Sequence, residues 1–402
     1  MTIIQKKLNE IAKCSLDKEG VTRYSFTKEH RKAISIITKW MTDAGLKVSM
    51  DDAGTLIGNL KSFNKQAKTL LLGSHQDTVK NGGKYDGIMG VLLPILALKN
   101  IKKKKINLPF HVQVLAFADE EGMRFPTSLL GSRALAGTFK KSYLRFKDKN
   151  NNTISDALKS FKLSPKKILK LKRDKKKIIG FIETHIEQGP VLEKNNLPLG
   201  IVTGIAGISR FNLSLHGHSS HAGTTPVKYR KDSLLGLNEI NLMCEKIAKL
   251  NEDIIITIGE IHNQPNVPNA IPSTSTAVIE FRSINNKKRI NTENRVKKLI
   301  NQISKKRNLK KQFYKTYDQE AVMCNEKLKK YLVKAFKKLK IKPFQLLSGA
   351  THDASAMSDL CDISMLFVRS KNGLSHNPKE YSSETDMKAA VKILETVILN
   401  LN

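Results

Sequence analysis

Residues 69–98, TLLLGSHQDTVKNGGKYDGIMGVLLPILAL, decide the fold. They open on a short apolar run without alternation (69–73), the pattern of a strand buried on both faces. A loop rich in glycine and charge follows. Residues 88–98 then read as a buried helix, and 111–118 (HVQVLAFA) as a second buried strand. Strand, loop, helix, strand predicts an α/β domain on a mostly parallel sheet. In such sheets the chemistry gathers in loops that leave the carboxyl ends of the strands. The loops 74–87 and 119–124, which carry most of the nearby acids, fall there.

Outward from this segment, residues 1 to about 48 alternate helical patterns with charged turns, and 28–41 form an amphipathic helix. A lysine-rich stretch (140–177) shows only short helical pieces, its run 171–177 reading as a solvated face or loop, after which 178–183 returns to a strand. The rhythm changes over residues 208–317. Alternating strands at 211–216, 254–261, 276–283 and 312–316 frame helices at 232–250 and 290–306. That order, β-α-β-β-α-β, is a ferredoxin-like α+β unit inserted into the first domain. The first domain therefore comprises 1–207 and 318–402, resuming with a helix at 325–339, a strand at 365–369 and a helix at 383–399.

Composition excludes several classes. The chain has 402 residues, 40% hydrophobic and 26% charged; that is a globular composition, not a disordered one. Cys14, Cys244, Cys324 and Cys361 lie far apart with no CxxC pair, so neither a zinc cluster nor a disulfide framework is expected. The longest apolar run falls short of a membrane span and the N-terminal residues lack a signal-peptide core, which points to the cytoplasm and no membrane partner. The formal charge of +34 raises the question of a nucleic-acid partner. Of the 70 basic residues, however, 57 are lysine and 13 arginine, and aromatics are 6%. Phosphate and base readers favour arginine with interleaved aromatics. A basic solvated surface, with no nucleic-acid partner, is the expectation.

The chemistry-bearing residues sit at strand ends. His75 follows the first strand, and Asp77, two residues on, is placed to hold its second ring nitrogen. Asp86 lies among glycines that permit a tight return toward His75. Glu120 and Glu121 belong to three consecutive acids closing a buried strand. They are either an exposed turn or a costly cluster that calls for a cation. His185 follows the strand at 178–183, and His376 lies beyond the strand at 365–369. Two histidines, an aspartate and two glutamates at strand ends, with a third histidine near the C-terminus, suggest a two-metal hydrolase. Nitrogen and oxygen ligands without thiolate suit zinc, manganese or cobalt.

These segments resemble the M20 family of metallopeptidases and amidohydrolases, in its hydantoinase/carbamoylase branch. GSHQDTVKNGGKYDGIMGV, DEEGMRFPTSLLGSRALAG, HIEQGPVLE, HSSHAGTTPVKYRKD, NAIPSTSTAVIEFRS and NGLSHNP carry the likeness, in the family's order, from about residue 70 to 380. The resemblance implies a di-metal catalytic domain with an inserted dimerisation (lid) domain and two divalent ions per subunit, zinc first, with manganese or cobalt as alternatives. His75, Asp86 and His185 would hold one ion and Asp86, Glu121 and His376 the other, with a cis peptide after the bridging Asp86. Glu120 would be the general base and Asp77 would orient His75. His221 would reach a partner subunit's site in a homodimer and stabilise the oxyanion. Gln188, Asn269, Arg282 and His352 would contact substrate, Arg282 through a carboxylate. The expected activity is hydrolysis of the carbamoyl C–N bond of a small anionic ureido substrate, an N-carbamoyl-L-amino acid or allantoate, releasing ammonia and carbon dioxide. An aminoacylase or dipeptidase on the same scaffold is the alternative, disfavoured by His185 and HIEQGP; a basic nucleic-acid binder on an enzyme fold is the alternative from another class.

Overall fold

The computed structural model describes residues 3–401 and divides into two compact units. The larger runs to Thr203 and resumes at Met323; the smaller spans Gly204–Val322.

The sheet of the larger unit is mixed, with a parallel centre. Strands His111–Phe117, Thr69–His75, Ile178–Ile186 and Ile363–Val368 lie side by side and parallel. Leu56–Leu60 adds antiparallel to His111–Phe117, and Lys47–Met50 extends it as a hairpin. Leu199–Ile205 adds antiparallel on the opposite side. The central strands are buried along almost their whole length, with mostly apolar residues, because both faces are covered. Helix Ile88–Lys103 is buried from Ile88 through Leu98, which is why its sequence shows no amphipathic stripe. It shares a core with helices Lys28–Asp43, Glu326–Lys338 and Glu384–Asn400. Their starts are local: Thr27, Asn325 and Ser383 each accept a backbone N–H of the first turn. A second cluster, including Phe26, Phe125, Phe139 and Phe161, packs beneath helices Leu130–Ala136 and Ile154–Ser160.

The smaller unit is a four-stranded antiparallel sheet in the order Lys310–Gln319, Gly207–His216, Thr274–Ser283, Ile255–Gln264. Helices Ser233–Lys249 and Asn286–Lys306 bury Leu237, Ile240, Val296 and Ile300 against it. Along Thr274–Ser283 every second residue is buried, so one face meets the helices and the other does not. The unit is wider than the span 208–317 because the strands flanking the insertion extend beyond their alternating segments, to Gly207 and Gln319. Among the described residues no helix is long and apolar enough to cross a membrane.

Candidate metal centre

His75 is the last residue of its strand and is buried, as are Asp86 and His185. The chain returns from His75 to Asp86 through the glycine-rich loop and enters helix Ile88–Lys103 at Gly87. Gly87 has φ +65, and a Cβ there would stand 2.3 Å from the His75 ring, so only glycine lets this turn close on the histidine. The Asp86–Gly87 peptide is trans; the single cis bond among the described residues is Gln264–Pro265. The expected cis bond is thus absent, and the positive φ of Gly87 makes the reversal instead.

Three lone-pair donors converge here. Asp86 Oδ1 lies 3.3 Å from His75 Nε2 and 3.1 Å from His185 Nε2, and the two Nε2 atoms are 3.4 Å apart. Each ring is held at its other nitrogen: His75 Nδ1 is 3.0 Å from the carbonyl of Asp77, His185 Nδ1 2.9 Å from that of Ile186. With Nδ1–H donating to these carbonyls, each Nε2 turns its lone pair to the centre. The Gly87 N–H donates to His185 Nε2 at 3.3 Å, as that tautomer requires.

On the other side of Asp86, His376 Nε2 lies 3.6 Å from Asp86 Oδ2 and 3.8 Å from Glu121 Oε1. Two groups of potential ligand atoms, each lying within 4.8 Å of one another, are therefore His75, Asp86 and His185, and Asp86, Glu121 and His376; His75, Glu120 and Glu121 form a third. Glu121 Oε1 is buried and accepts no hydrogen bond. A buried carboxylate oxygen without a donor, beside imidazole lone pairs that carry no proton, is chemistry that fits a divalent cation. His376, Gln188 and Asp119, at or beside this cluster, hold positive φ (+54, +58 and +61), strained for side-chain-bearing residues.

Electrostatics follow from burial. Glu120 and Glu121 are pushed well above the usual carboxylate range, chiefly by burial; Glu121, Asp353 and Asp77 add repulsion at Glu120, and Asp86, Asp77 and Glu380 at Glu121. Burial acts the same way on Asp86, but the charges and hydrogen bonds of His185 and His75 outweigh it and hold Asp86 well below its ordinary value. Burial would lower His75, yet Asp86 and Glu120 raise it well above an ordinary imidazole. The cluster thus draws protons onto its histidines when nothing else neutralises it.

Asp77 sits otherwise than its spacing suggests. Its carbonyl makes the hydrogen bond to His75 Nδ1, with carboxylate Oδ1 3.9 Å from the same nitrogen, while its two carboxylate oxygens accept the backbone N–H groups of Glu120 (3.1 Å) and Glu121 (3.2 Å). Asp77 therefore pins the acid-bearing loop to the histidine-bearing one. Gln188 donates from Nε2 to Asp86 Oδ2 at 2.8 Å. His352 is buried, 2.8 Å from Ser348 Oγ, with its ring edge-on to His185 at 4.6 Å. His221, Asn269 and Arg282 belong to the smaller unit. There His221 Nδ1 accepts the N–H groups of Gly223 and Thr224, leaving Nε2 to carry the ring proton. The Asn269 carbonyl accepts from Ala222, and Arg282 Nε meets Glu280 at 2.6 Å.

Three residues around the cluster, Glu183 and Glu380 buried and Ser375 half-buried, escaped the sequence reading. Glu183 accepts from Ser74 Oγ (2.6 Å) and Ala354 N (2.8 Å). Ser375 Oγ lies 2.8 Å from Asp86 Oδ2. Glu380, raised to about 8 by burial and then by Asp86, accepts the N–H groups of Tyr85 and Asp86. An acid inside the apolar strand FIETHI was the available signal for Glu183; Glu380, in a polar loop, offered none.

Comparison with known proteins agrees in extent and order. The family described as Peptidase family M20/M25/M40 matches residues 71–400. An N-carbamoyl-L-amino acid amidohydrolase of Geobacillus stearothermophilus is 35% identical over 382 residues, covering 95% of this chain and 93% of its own. Allantoate deiminase 1 of Glycine max is 37% identical, covering 96% and 86%. The crystal structure of an amidase of the hydantoinase/carbamoylase family from Burkholderia multivorans superposes with a TM-score of 0.90 at 25% identity, covering 98% and 96%.

Proposed function

The chain belongs to Peptidase family M20/M25/M40, and from that premise we propose that it is a binuclear metal-dependent amidohydrolase of the hydantoinase/carbamoylase branch, cleaving the carbamoyl C–N bond of an N-carbamoyl-L-amino acid or allantoate. The observation that carries this reading is the pair of ligand groups sharing Asp86, one with two buried histidines and one with Glu121 and His376.

His75, Asp86 and His185 would hold one divalent ion and Asp86, Glu121 and His376 the other, zinc before manganese or cobalt. When bound, the ions supply Lewis-acid polarisation of the carbamoyl carbonyl and a more acidic water. Glu120 takes the proton from the attacking water and passes it to the departing nitrogen; its raised affinity for protons suits both halves of that task. His221, with its proton on Nε2, donates to the oxyanion that develops on the carbonyl oxygen. Arg282 binds the substrate carboxylate, and Gln188, Asn269 and His352 complete the substrate contacts. The products are ammonia, carbon dioxide and the free amino acid or its ureido counterpart.

The smaller unit would serve as lid and dimerisation domain. Its edge strand Ile255–Gln264 exposes Ile255 and Ile261, and helix Ser233–Lys249 exposes Leu242, surfaces suited to a second copy. All four cysteines are buried and unpaired, in keeping with a cytoplasmic home. The test is ammonia release from carbamoyl amino acids, allantoate and ureidopropionate after loading with zinc, manganese or cobalt. N-acyl amino acids and dipeptides serve as the comparison. Turnover of the latter alone would place the chain among aminoacylases or dipeptidases.

A further inference from the structure

We infer that Glu380 is a positioning residue that ties the turn bearing Asp86 to the loop bearing His376, so that the second metal position depends on this carboxylate more than the first does. The inference rests on the binuclear reading above. Glu380 is 4% exposed. Its Oε1 accepts the backbone N–H of Tyr85 at 3.0 Å and of Asp86 at 3.1 Å. Its Oε2 lies 3.3 Å from Ser375 Oγ, the residue directly before His376. The Ser375 hydroxyl is also 2.8 Å from Asp86 Oδ2 and has one proton to share between the two carboxylates. One side chain thus joins segments 295 positions apart in the chain. Space is reserved for it: a Cβ on Gly83 would stand 2.3 Å from Glu380 Cδ, and Gly83 is not in the positive-φ region, so proximity rather than backbone conformation calls for glycine there.

The two metal positions depend on this clamp unequally. His75 and His185 end central strands, are buried, and have each Nδ1 fixed by a carbonyl. His376 stands in a loop with its side chain half exposed and its backbone strained. Once Glu380 lets go, Ser375 Oγ on Asp86 and Gln188 Nε2 beside Asp86, Ser375 and His376 still link the loop to Asp86, but through half-buried side chains rather than a buried carboxylate bonded to the backbone.

The full-length protein, stripped with a chelator, is titrated with Co(II) alone, following visible absorption and bound metal. Wild type should take two equivalents. Glu380→Ala should keep the first within a few-fold and bind the second at least about 10-fold more weakly, the scale on which removing a partner of a ligand acts. Glu380→Gln, whose amide oxygen still accepts both N–H groups, should retain both equivalents. Gly83→Ala should reproduce the alanine variant with Glu380 intact, and it carries the test if Glu380→Ala fails to fold. Two equivalents at wild-type affinity in Glu380→Ala or Gly83→Ala would overturn the inference. So would equal weakening of both positions, which marks general loosening, or loss of the second equivalent in Glu380→Gln, which marks charge rather than position. A single equivalent in the wild type overturns the binuclear reading itself.

Discussion

Stripping the metal should make the larger unit lose stability as pH rises. In the fold Glu380 keeps its proton to about 8, against an ordinary value of 4.5, because burial and the charge of Asp86 oppose ionisation. The unfolded chain binds fewer protons across that interval, so stability present below pH 4.5 is lost as pH climbs through 8. At about 1.4 kcal/mol per unit the whole span amounts to roughly 5 kcal/mol, of which about 1 kcal/mol falls between pH 7 and 8. Glu120, Glu121, His75 and His185 are all raised and act in the same direction. His30, buried neutral and lowered to about 3, acts oppositely, but its contribution is complete above its ordinary 6.5. Loaded with metal, the ligands are held deprotonated and the trend reverses, so the gap between the two forms widens with pH. Trp40, the single tryptophan, is 2% exposed in the larger unit and reports its unfolding by fluorescence. Urea midpoints at pH 7 and 8, with chelator and with zinc, decide the matter. A chelated protein equally stable at both, or more stable at pH 8, would refute the reasoning.

Glu120→Gln preserves shape but removes the base, so bound metal should stay at wild-type content while ammonia release falls about 100-fold or more; loss of metal would make Glu120 a ligand. Asp86→Ala removes the carboxylate common to both ligand groups, and mass spectrometry of the metal content should find both ions gone, whereas His376→Ala should keep one. If His221 serves a partner's site, mixing inactive His221→Ala and Glu120→Gln proteins with subunit exchange should restore up to about a quarter of wild-type activity; no recovery after proven exchange places His221 in its own chain's site. With a net charge of +34, kcat/KM for an anionic substrate should drop several-fold, about 2–10, between 50 and 500 mM salt, and a flat profile would remove surface charge from substrate capture.

The parallel centre was legible because strands buried on both faces are written as unbroken apolar runs, as in TLLLG and HVQVLAFA, and the inserted unit because its strands alternate. The hairpin Lys47–Leu60 and strand Leu199–Ile205 were not: in the first, Lys47–Met50 is an exposed edge and Leu56–Leu60 carries Gly58 and Asn59, and the second is broken by Gly200 and Gly204. Ligand candidates showed themselves by position, a histidine or acid directly after a strand. Their partners did not. Asp77 was chosen for its spacing from His75, and spacing is silent on which of its oxygens faces the ring. Ser375 and Glu380 sit in a polar loop where neither burial nor partners leave a mark in the local sequence, since both come from residues almost three hundred positions away.

That separation has a consequence for biosynthesis. A ribosome delivers His75, Asp86, Glu121 and His185 well before the residues that complete their surroundings. Until His376 and Glu380 emerge, the nascent chain carries a nest of acids and histidines whose second metal position lacks a ligand and its tether. A polypeptide broken off after residue 370 would keep the strands of the larger sheet but lack His376 and Glu380. Residues 371–402 supply both the last ligand and a helix of the core, and products lacking them should be cleared by proteases faster than the 402-residue chain.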